Sequence, residues 1–203
     1  MDIKTMVYII ESLGILTFAI SGMLLAKKKD MDIVGIYMIG WITAFGGGII
    51  RDVMLDIQPL YWMAHPEYPF ILLILAIVMA MLRTVRIKEK WLVIPDAMGM
   101  ALFATATAQI SVDHGVSIIA VGILSTIVAT FGGVIRDSLC QEIPLIFRKN
   151  STLYASIAFI SGCLYAWIVG LGIINANLAL IIISILAFIV RFLSYLNNWK
   201  LRF

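Results

Sequence analysis

The chain has 203 residues, of which 62% are hydrophobic and only 13% are charged. Soluble domains usually carry about 25% charged residues, so this composition excludes a single water-soluble domain and indicates an integral membrane protein. The modest formal net charge of +3, without a basic surface interleaved with aromatic residues, gives no support for nucleic-acid binding.

Apolar stretches of membrane-spanning length occur seven times along the chain. A helix needs roughly 20 apolar residues to cross the hydrocarbon core of a bilayer. The stretches lie at 6–26, 32–51, 69–85, 92–111, 116–136, 151–171 and 176–195. They are continuous rather than alternating, which favours helices over a β-barrel. The sequence therefore predicts an all-α integral membrane protein with seven transmembrane helices.

Basic residues in the predicted loops lie mostly on one side of the membrane. That side carries Lys27, Lys28 and Lys29 after the first span, Arg83, Arg86, Lys88 and Lys90 after the third, Arg148 and Lys149 after the fifth, and Lys200 and Arg202 after the seventh. The other side carries Lys4, Asp56, His65, Glu67, Asp113 and His114. Because cytoplasmic loops are enriched in Lys and Arg, we expect an outside N-terminus and a cytoplasmic C-terminus.

The two halves of the chain share one pattern when the sequence is shifted by 85 residues. The stretch AFGGGIIRDVM at 44–54 returns as TFGGVIRDSLC at 130–140. Further identities pair Gly14, Phe18, Ala19, Pro59 and Leu60 with Gly99, Phe103, Ala104, Pro144 and Leu145. Each unit holds three predicted spans, so the second must enter the membrane upside down relative to the first. Such inverted repeats are typical of transport proteins.

The repeat predicts how the chain is divided. We expect a first three-helix repeat at 1–90 and a second, inverted three-helix repeat at 91–173. A seventh helix and a cytoplasmic tail then occupy 174–203. The third span of each unit matches poorly, so the repeat is clear for two helices of each unit and is extended by inference to the third.

Glycines cluster at corresponding positions of the second and fifth predicted spans. They are Gly46, Gly47 and Gly48 in the first unit, and Gly132 and Gly133 in the second. Each glycine costs a helix up to about 1 kcal/mol relative to alanine, so their recurrence needs a reason. Two interpretations stay open. Glycines let helix backbones approach closely, or they let a helix bend where neighbours or water satisfy its carbonyls.

A charge pair follows each glycine cluster, and an acidic residue lies at matching depth in the preceding span. The two sets are Glu11, Arg51 and Asp52, and Asp96, Arg136 and Asp137. Ionisable groups inside spans are costly and are functional candidates by default. We predict that Glu11 neutralises Arg51 near the outer side of the membrane and that Asp96 neutralises Arg136 near the inner side. The alternative is that these side chains only snorkel to the interface.

Three other charged residues are expected to act differently. Adjacent helix positions point about 100° apart, so Asp52 and Asp137 are expected to be poorer partners for the arginines beside them and to face water or a transport path. Arg191, near the end of the seventh span, has no counterpart in the repeat. Its position favours snorkelling to the headgroups.

Hydroxyl side chains are available on the first two spans of each unit and could replace water around a transported ion. The candidates are Ser12, Thr17 and Thr43 in the first unit and Ser125, Thr126 and Thr130 in the second, with Ser21, Thr105 and Thr107 beside them. Hydroxyls inside helices often bond instead to a carbonyl of their own helix. The sequence leaves both interpretations open.

The combined pattern resembles a known family. The first unit has an acidic residue in its first span, a glycine-rich second span ending GGGIIRD, and a proline shortly after. The fourth and fifth spans carry the same set in inverted orientation. This pattern resembles the prokaryotic branch of the trimeric intracellular cation (TRIC) channel family. That branch overlaps the bacterial membrane proteins with two glycine-transporter domains. The resemblance covers essentially the whole chain, and it implies seven helices as two inverted three-helix repeats plus a seventh helix.

The same resemblance implies a homotrimer in the prokaryotic cell (inner) membrane, with one pore in each protomer. The pore would be lined by the first two helices of each repeat and bent at Gly46–Gly48 and at Gly132–Gly133. The implied partners are further copies of the chain and membrane lipid. No cofactor is implied beyond the conducted K⁺ or Na⁺. The lysine-rich lipid-binding feature of animal members has no matching position here, so lipid regulation does not carry over.

Two functional classes remain open from the sequence. One is a passive channel for K⁺ and Na⁺, and the other is a secondary transporter for glycine or a similar small zwitterion. A TVGYG filter is absent from the sequence, so a channel would select weakly among monovalent cations. An enzyme is not expected, because the chain has two histidines and no HExxH or GxSxG motif. No metal site is expected either.

Overall fold

The computed structural model describes residues 2–82, 89–148 and 153–199. The regular structure of those ranges is helical. The α-helices are α1 (Ile3–Lys28), α2 (Ile33–Met54), α3 (Tyr61–Ala64), α4 (Glu67–Met81), α5 (Glu89–Asp113), α6 (Ile118–Leu139), α7 (Ala155–Gly170) and α8 (Ala176–Leu196), with a short 3-10 turn at Leu145–Phe147. The predicted loop residues Arg83, Arg86, Lys88, Lys149, Lys200 and Arg202 lie outside the described residues.

Each of the seven predicted spans coincides with one of the longer helices. Five of them, α1, α2, α5, α6 and α8, are long and apolar enough to cross a membrane, and α4 and α7 are shorter apolar helices of 15 and 16 residues. In α8 only 33% of the most apolar window is buried inside the protein, so most of its apolar surface faces outward, as lipid contact requires. The chain is a multi-pass helical membrane protein.

The third predicted span ends earlier than its apolar run. The run extends from 69 to 85, but α4 ends at Met81 and Leu82 is extended. The ammonium group of Lys27 donates hydrogen bonds to the carbonyls of Met79 and Leu82. These bonds satisfy carbonyls that a helix end leaves without partners. Lys27 is therefore buried against α4 and is not a solvated loop residue.

Four helices surround the centre of the protein. Helix α1 packs on α2 and α5, and α6 packs on α2, α5 and α7. Helix α4 lies against α2 and α1, while α8 covers α5 and α7. The first halves of α1 and α5 and the ends of α2 and α6 contain most of the buried charged side chains. The four central helices therefore carry the site.

Corresponding residues of the two halves contact each other reciprocally in the core. Phe18 of α1 stacks on Phe103 of α5, with ring centroids 5.4 Å apart. A Cβ atom added at Gly14 would lie 2.9 Å from the Phe103 ring, and one added at Gly99 would lie 2.5 Å from the Phe18 ring. Each glycine therefore makes room for the aromatic ring of the other half.

The crossing of α2 and α6 brings two backbones into direct contact. A Cβ atom added at Gly47 would lie 2.0 Å from the carbonyl oxygen of Val128. One added at Gly132 would lie 2.2 Å from the carbonyl oxygen of Thr43. A side-chain carbon cannot approach a carbonyl so closely, so only glycine allows this crossing. Close packing is the role of Gly47 and Gly132.

The other clustered glycines have more space. A Cβ atom at Gly48 would lie 3.9 Å from its nearest neighbour, the Phe103 ring, and one at Gly133 would lie 3.5 Å from the Arg136 guanidinium. Gly46 is intermediate, since its Cβ would lie 3.2 Å from the end of the Ile135 side chain. Helices α2 and α6 continue through both clusters. Packing therefore explains Gly47 and Gly132 but gives no reason for glycine at Gly48 and Gly133.

Replacing Gly47 by alanine should destabilise the folded protein, because the new Cβ forces α2 and α6 apart. Overpacking typically costs about 1–3 kcal/mol. Gly48→Ala is the matched control, since its Cβ would meet only an ordinary contact at 3.9 Å. Alanine also gains up to about 1 kcal/mol in helix propensity there. Thermal unfolding of both variants in detergent checks this prediction, and equal melting temperatures would contradict the packing role.

Candidate functional site

The first charged cluster joins α1 to the end of α2 and consists of Glu11, Arg51 and Asp52. The guanidinium of Arg51 donates one hydrogen bond to Glu11 Oε1. Its Nε and Nη2 donate to Asp52 Oδ1 at 2.9 and 2.7 Å. Asp52 Oδ2 accepts a further bond at 2.8 Å from the backbone N–H of Tyr61. This Arg51 cluster is buried, with its side chains at most 5% exposed.

The second cluster repeats this arrangement between α5 and the end of α6, with Asp96, Arg136 and Asp137. Arg136 Nη1 donates to Asp96 Oδ1 at 2.7 Å, and Nε donates to Asp137 Oδ1 at 2.8 Å. Nη1 also donates to the hydroxyl of Ser21 at 2.7 Å. Asp137 Oδ2 accepts from the backbone N–H of Leu145 at 3.2 Å. This Arg136 cluster is buried as well.

The ion pairs expected from residue depth are both present, but the expectation for the adjacent carboxylates is wrong. Asp52 and Asp137 do not face water, since they are 1% and 3% exposed. Each accepts hydrogen bonds from the arginine that precedes it. Although adjacent Cβ atoms diverge, the arginine side chain is long enough to fold back along the helix. Backbone N–H groups of the following loop hold the second oxygen of each carboxylate.

The expectation that Arg191 snorkels is also wrong. Arg191 is only 2% exposed. Its Nη1 donates to the carbonyl of Leu153 at 3.0 Å, and its guanidinium carbon lies 4.6 Å from the ring centroid of Tyr154. The residues that lead into α7 cover the guanidinium and supply the carbonyl and aromatic partners that headgroups would otherwise supply. The side chain therefore stays inside the protein.

The two clusters differ in the space beside them. A cavity of about 100 Å³ borders the Arg136 cluster, with room for several water molecules. It is lined by Leu25, Lys28, Leu92, Val93, Arg136, Asp137, Glu142, Leu145 and Arg148. The space beside the Arg51 cluster is only about 10 Å³, which is near the minimum for one water. The space described beside the Arg51 cluster is therefore much smaller than the polar cavity beside the Arg136 cluster.

Aromatic side chains close the space at the Arg51 cluster. Tyr61 and Trp62, from the single-turn helix α3, line it together with Phe103. The Tyr61 ring lies 4.5 Å from the ring of His65 and 6.0 Å from that of Tyr68, measured between centroids. This aromatic cap was not predicted from the sequence. Its only signal is the run of aromatic residues after Pro59-Leu60.

Most predicted pore hydroxyls are bonded to their own helix. The acceptors are the carbonyls of Tyr8 for Ser12, Leu13 for Thr17, Ile39 for Thr43, Gly122 for Thr126 and Thr126 for Thr130. Ser125 differs, since its buried hydroxyl has no hydrogen-bond partner within the described ranges. The self-bonded hydroxyls are satisfied without an ion. Among the described residues no group of three or more His, Cys, Asp and Glu side chains could hold a metal.

Solved structures of TRIC channels have the same fold. A TRIC orthologue from Rhodobacter sphaeroides aligns with a TM-score of 0.85 and 28% identity, covering 95% of this chain and 98% of that one. A prokaryotic TRIC channel in 0.5 M KCl aligns with a TM-score of 0.86 and 32% identity, covering 98% and 100%. The chain is therefore an all-helical membrane protein of the TRIC channel fold.

The family follows from sequence comparison. The family model described as "Glycine transporter" matches twice, at 8–84 and 93–170. The UPF0126 membrane protein YvgT of Bacillus subtilis (strain 168) is 32% identical over 195 residues, which cover 95% of this chain and 94% of that protein. The UPF0126 inner membrane protein YadS of Escherichia coli (strain K12) is 35% identical over 167 residues, covering 79% and 78%. The chain belongs to this glycine-transporter family, and the predicted resemblance is confirmed.

Arg51→Gln should destabilise the protein strongly, because it leaves the buried carboxylates of Glu11 and Asp52 without a cation. Glu11→Gln should destabilise it less, because Arg51 keeps Asp52 as a partner. Removing one member of a buried ion pair typically costs about 3–5 kcal/mol. The double variant should cost less than the sum of the two single changes. Thermal unfolding in a double-mutant cycle measures this coupling.

The exposed ion pair of Lys29 and Glu142 is the matched control for that cycle. Its nitrogen and oxygen lie 2.7 Å apart, and the side chains are 33% and 36% exposed. Lys29 holds the pKa of the Glu142 carboxyl below its usual value. Exposed pairs contribute only about 0–1 kcal/mol. The prediction fails if the stability changes at Glu11 and Arg51 are additive and no larger than those at Lys29 and Glu142. The buried pair would then contribute nothing to the stability of the protein.

Proposed function

We propose that the protein is a monovalent cation channel for K⁺ and Na⁺, with one pore in each protomer between α1, α2, α5 and α6. One observation carries the proposal. Two buried Arg–carboxylate clusters lie along this helix group, one contacting α1 at Glu11 and the other at Ser21. Ten residues of helix separate these points by about 15 Å. The similarity to TRIC channels supports a cation channel.

The charge of the clusters suits a cation. A pore lined by bare arginines would repel its own ion, but each arginine here is held by two carboxylates. Each three-residue cluster thus keeps one formal negative charge in excess. The clusters act as gates or as struts near the two mouths of the pore, where they neutralise arginine and still attract K⁺ or Na⁺. No cofactor is part of this proposal.

Seven membrane spans in two inverted repeats are the proposed architecture, with repeats at 1–90 and 91–173 and a seventh helix and tail at 174–203. The double match of the family model, once in each half, supports the division. The reciprocal glycine contacts between the halves support it too. The N-terminus is outside and the C-terminus cytoplasmic in this proposal. The Arg51 cluster is then the outer cluster, and the Arg136 cluster is the inner one.

The glycines have two roles in the proposed mechanism. Gly47 and Gly132 hold the crossing of α2 and α6, where each faces a carbonyl of the other helix. Gly48 and Gly133, and to a lesser degree Gly46, have looser surroundings, and bending of α2 and α6 at these points opens the pore. Ser125, whose hydroxyl is buried and without a hydrogen bond in the described residues, packs against Gly162 of α7, outside the four helices of the proposed pore.

The proposed assembly is a homotrimer in the inner membrane of a prokaryotic cell. The solved neighbours include a trimeric intracellular cation channel orthologue, and a curated relative is called an inner membrane protein. Large apolar side chains cover the outside of α4, α7 and α8, which gives ample surface for other copies and for membrane lipid.

A secondary transporter for glycine or a similar zwitterion is the second candidate. The family model's description and the cavity beside the Arg136 cluster favour it. That cavity of about 100 Å³ presents Arg136 and Lys28 together with Asp137 and Glu142, so it offers partners for both a carboxylate and an ammonium group.

Recording from purified protein in planar bilayers separates the two candidates. We expect discrete current steps in symmetric KCl, and similar steps in NaCl, because the proposed pore selects weakly among monovalent cations. The Glu11→Gln and Arg51→Gln variants should change the amplitude or open time of the steps. Saturable, stepless glycine uptake into proteoliposomes, without current steps, would overturn the channel proposal in favour of the carrier.

The proposed orientation predicts the sidedness of cysteine labelling. Cys140 and Cys163 are first replaced by alanine, since both are free thiols. A cysteine introduced at Lys29 should then react with a membrane-impermeant maleimide only from the cytoplasmic side. One introduced at His114 should react only from outside. Labelling of both positions from the same side would refute an odd number of spans between them.

A further inference from the structure

We infer that His65 is a pH-sensitive latch at the outer mouth of the proposed pore, and that protonation of its ring holds the pore closed. This inference rests on the proposed channel function and orientation. His65 directly follows α3, whose Tyr61 and Trp62 close the space beside the Arg51 cluster. That space of about 10 Å³ is too small for a hydrated cation. A cation from outside therefore passes through it only when α3 moves away.

The imidazole ring of His65 connects α3 to two neighbouring helices. Its centroid lies 4.5 Å from that of the Tyr61 ring in α3. The rings of Tyr8 in α1 and Tyr68 in α4 lie 5.3 and 6.0 Å from it. The hydroxyl of Tyr68 is hydrogen-bonded to that of Ser12 in α1, which ties α4 to α1. The histidine ring therefore anchors α3 to a pair of rings that belong to longer helices.

The charge of the ring decides how firmly this anchor holds. His65 Nδ1 lies 2.9 Å from Glu67 Oε1. A carboxylate only accepts hydrogen bonds, so Nδ1 carries the proton of the neutral ring and Nε2 takes the second proton. The imidazolium then forms an ion pair with Glu67 and a cation–π contact with the tyrosine rings around it. Histidine gains this charge between about pH 8 and pH 5.

The groups that face His65 all favour the imidazolium. Glu67 of α4 is in direct contact with it, and the rings of Tyr8, Tyr61 and Tyr68 surround it. Tyrosine is neutral at and below about pH 8, so these rings present no competing charge. Beyond Tyr61 lies the Arg51 cluster, which has one formal negative charge in excess. Acidification of the outer side should therefore hold α3 in place.

The expected effect is moderate, because the latch is partly solvated. The side chains of His65 and Glu67 are 31% and 46% exposed. An exposed ion pair and an exposed cation–π contact together change an equilibrium about five-fold. The ratio of closed to open channels should therefore rise about five-fold when the ring becomes charged.

Outside-out patches excised from giant spheroplasts test this, because the outer face of every channel then meets the bath. In symmetric KCl, lowering the bath pH from about 8 to about 5.5 should raise the closed-to-open ratio of the wild-type protein about five-fold, with the pipette pH held constant. His65→Phe keeps an aromatic ring and His65→Gln keeps a hydrogen-bond donor, but neither gains a charge. The closed-to-open ratio of both variants should be independent of bath pH. Their melting temperatures establish that they are folded.

His114→Gln is the matched control, since the chain has only two histidines and both lie on the proposed outer side. His114 is exposed, and its Nδ1 bonds to the carbonyl of Ile110, one turn back along the chain. This variant should respond to bath pH as the wild-type protein does.

Several outcomes would overturn the latch. A folded His65→Phe or His65→Gln channel that closes on acidification like the wild type would do so, as would loss of the response in His114→Gln. Wild-type channels that conduct at both pH values without closing in acid would overturn this inference alone. Absence of wild-type current at both pH values would overturn the proposed function and this inference together.

Discussion

Placing arginine among apolar helices requires other groups to replace the water that normally solvates it. The cost of an isolated buried charge exceeds the whole stability of most domains, so it must be paired and hydrogen-bonded. Arg51 and Arg136 meet this requirement with two carboxylates each. The carboxylates in turn take backbone N–H donors from the following loop. Two guanidinium groups therefore position the ends of α2 and α6, the loops after them and the first halves of α1 and α5 relative to one another.

The second constraint is close approach at the centre. Two backbone carbonyls occupy the space that Cβ atoms on Gly47 and Gly132 would need, and the Phe18–Phe103 stack fits only because Gly14 and Gly99 lack side chains. In lipid there is little hydrophobic drive between helices, so such direct contacts supply much of the packing energy. Charged clusters at the ends and small residues between them thus hold the four central helices in register.

Much of this arrangement could be predicted because it depends on rare residues. Gly, Arg, Asp and Pro stand out in an apolar chain, and their 85-residue spacing predicts the two ion pairs. The misses have physical causes. The prediction for Asp52 is wrong because the arginine side chain reaches further than Cβ geometry suggests. The prediction for Arg191 is wrong because its carbonyl partner on Leu153 leaves no sequence signal. Helix α3 is a single turn, which is too short to produce a periodic pattern.

The reciprocal crossing also limits where the two ends can differ. Because Gly47 faces α6 and Gly132 faces α2 in the same way, a movement of one helix against the other acts on both clusters together. Differences between the ends therefore come from residues that the two halves do not share. At the Arg51 cluster these are Tyr61 and Trp62 of α3, which close the adjoining space, whereas the 3-10 turn Leu145–Phe147 takes the corresponding place in the other half. At the Arg136 cluster they are Arg191 of α8 and the Lys29–Glu142 pair beside an open cavity. The repeat builds a symmetric frame, and the unrepeated residues make its two ends chemically distinct.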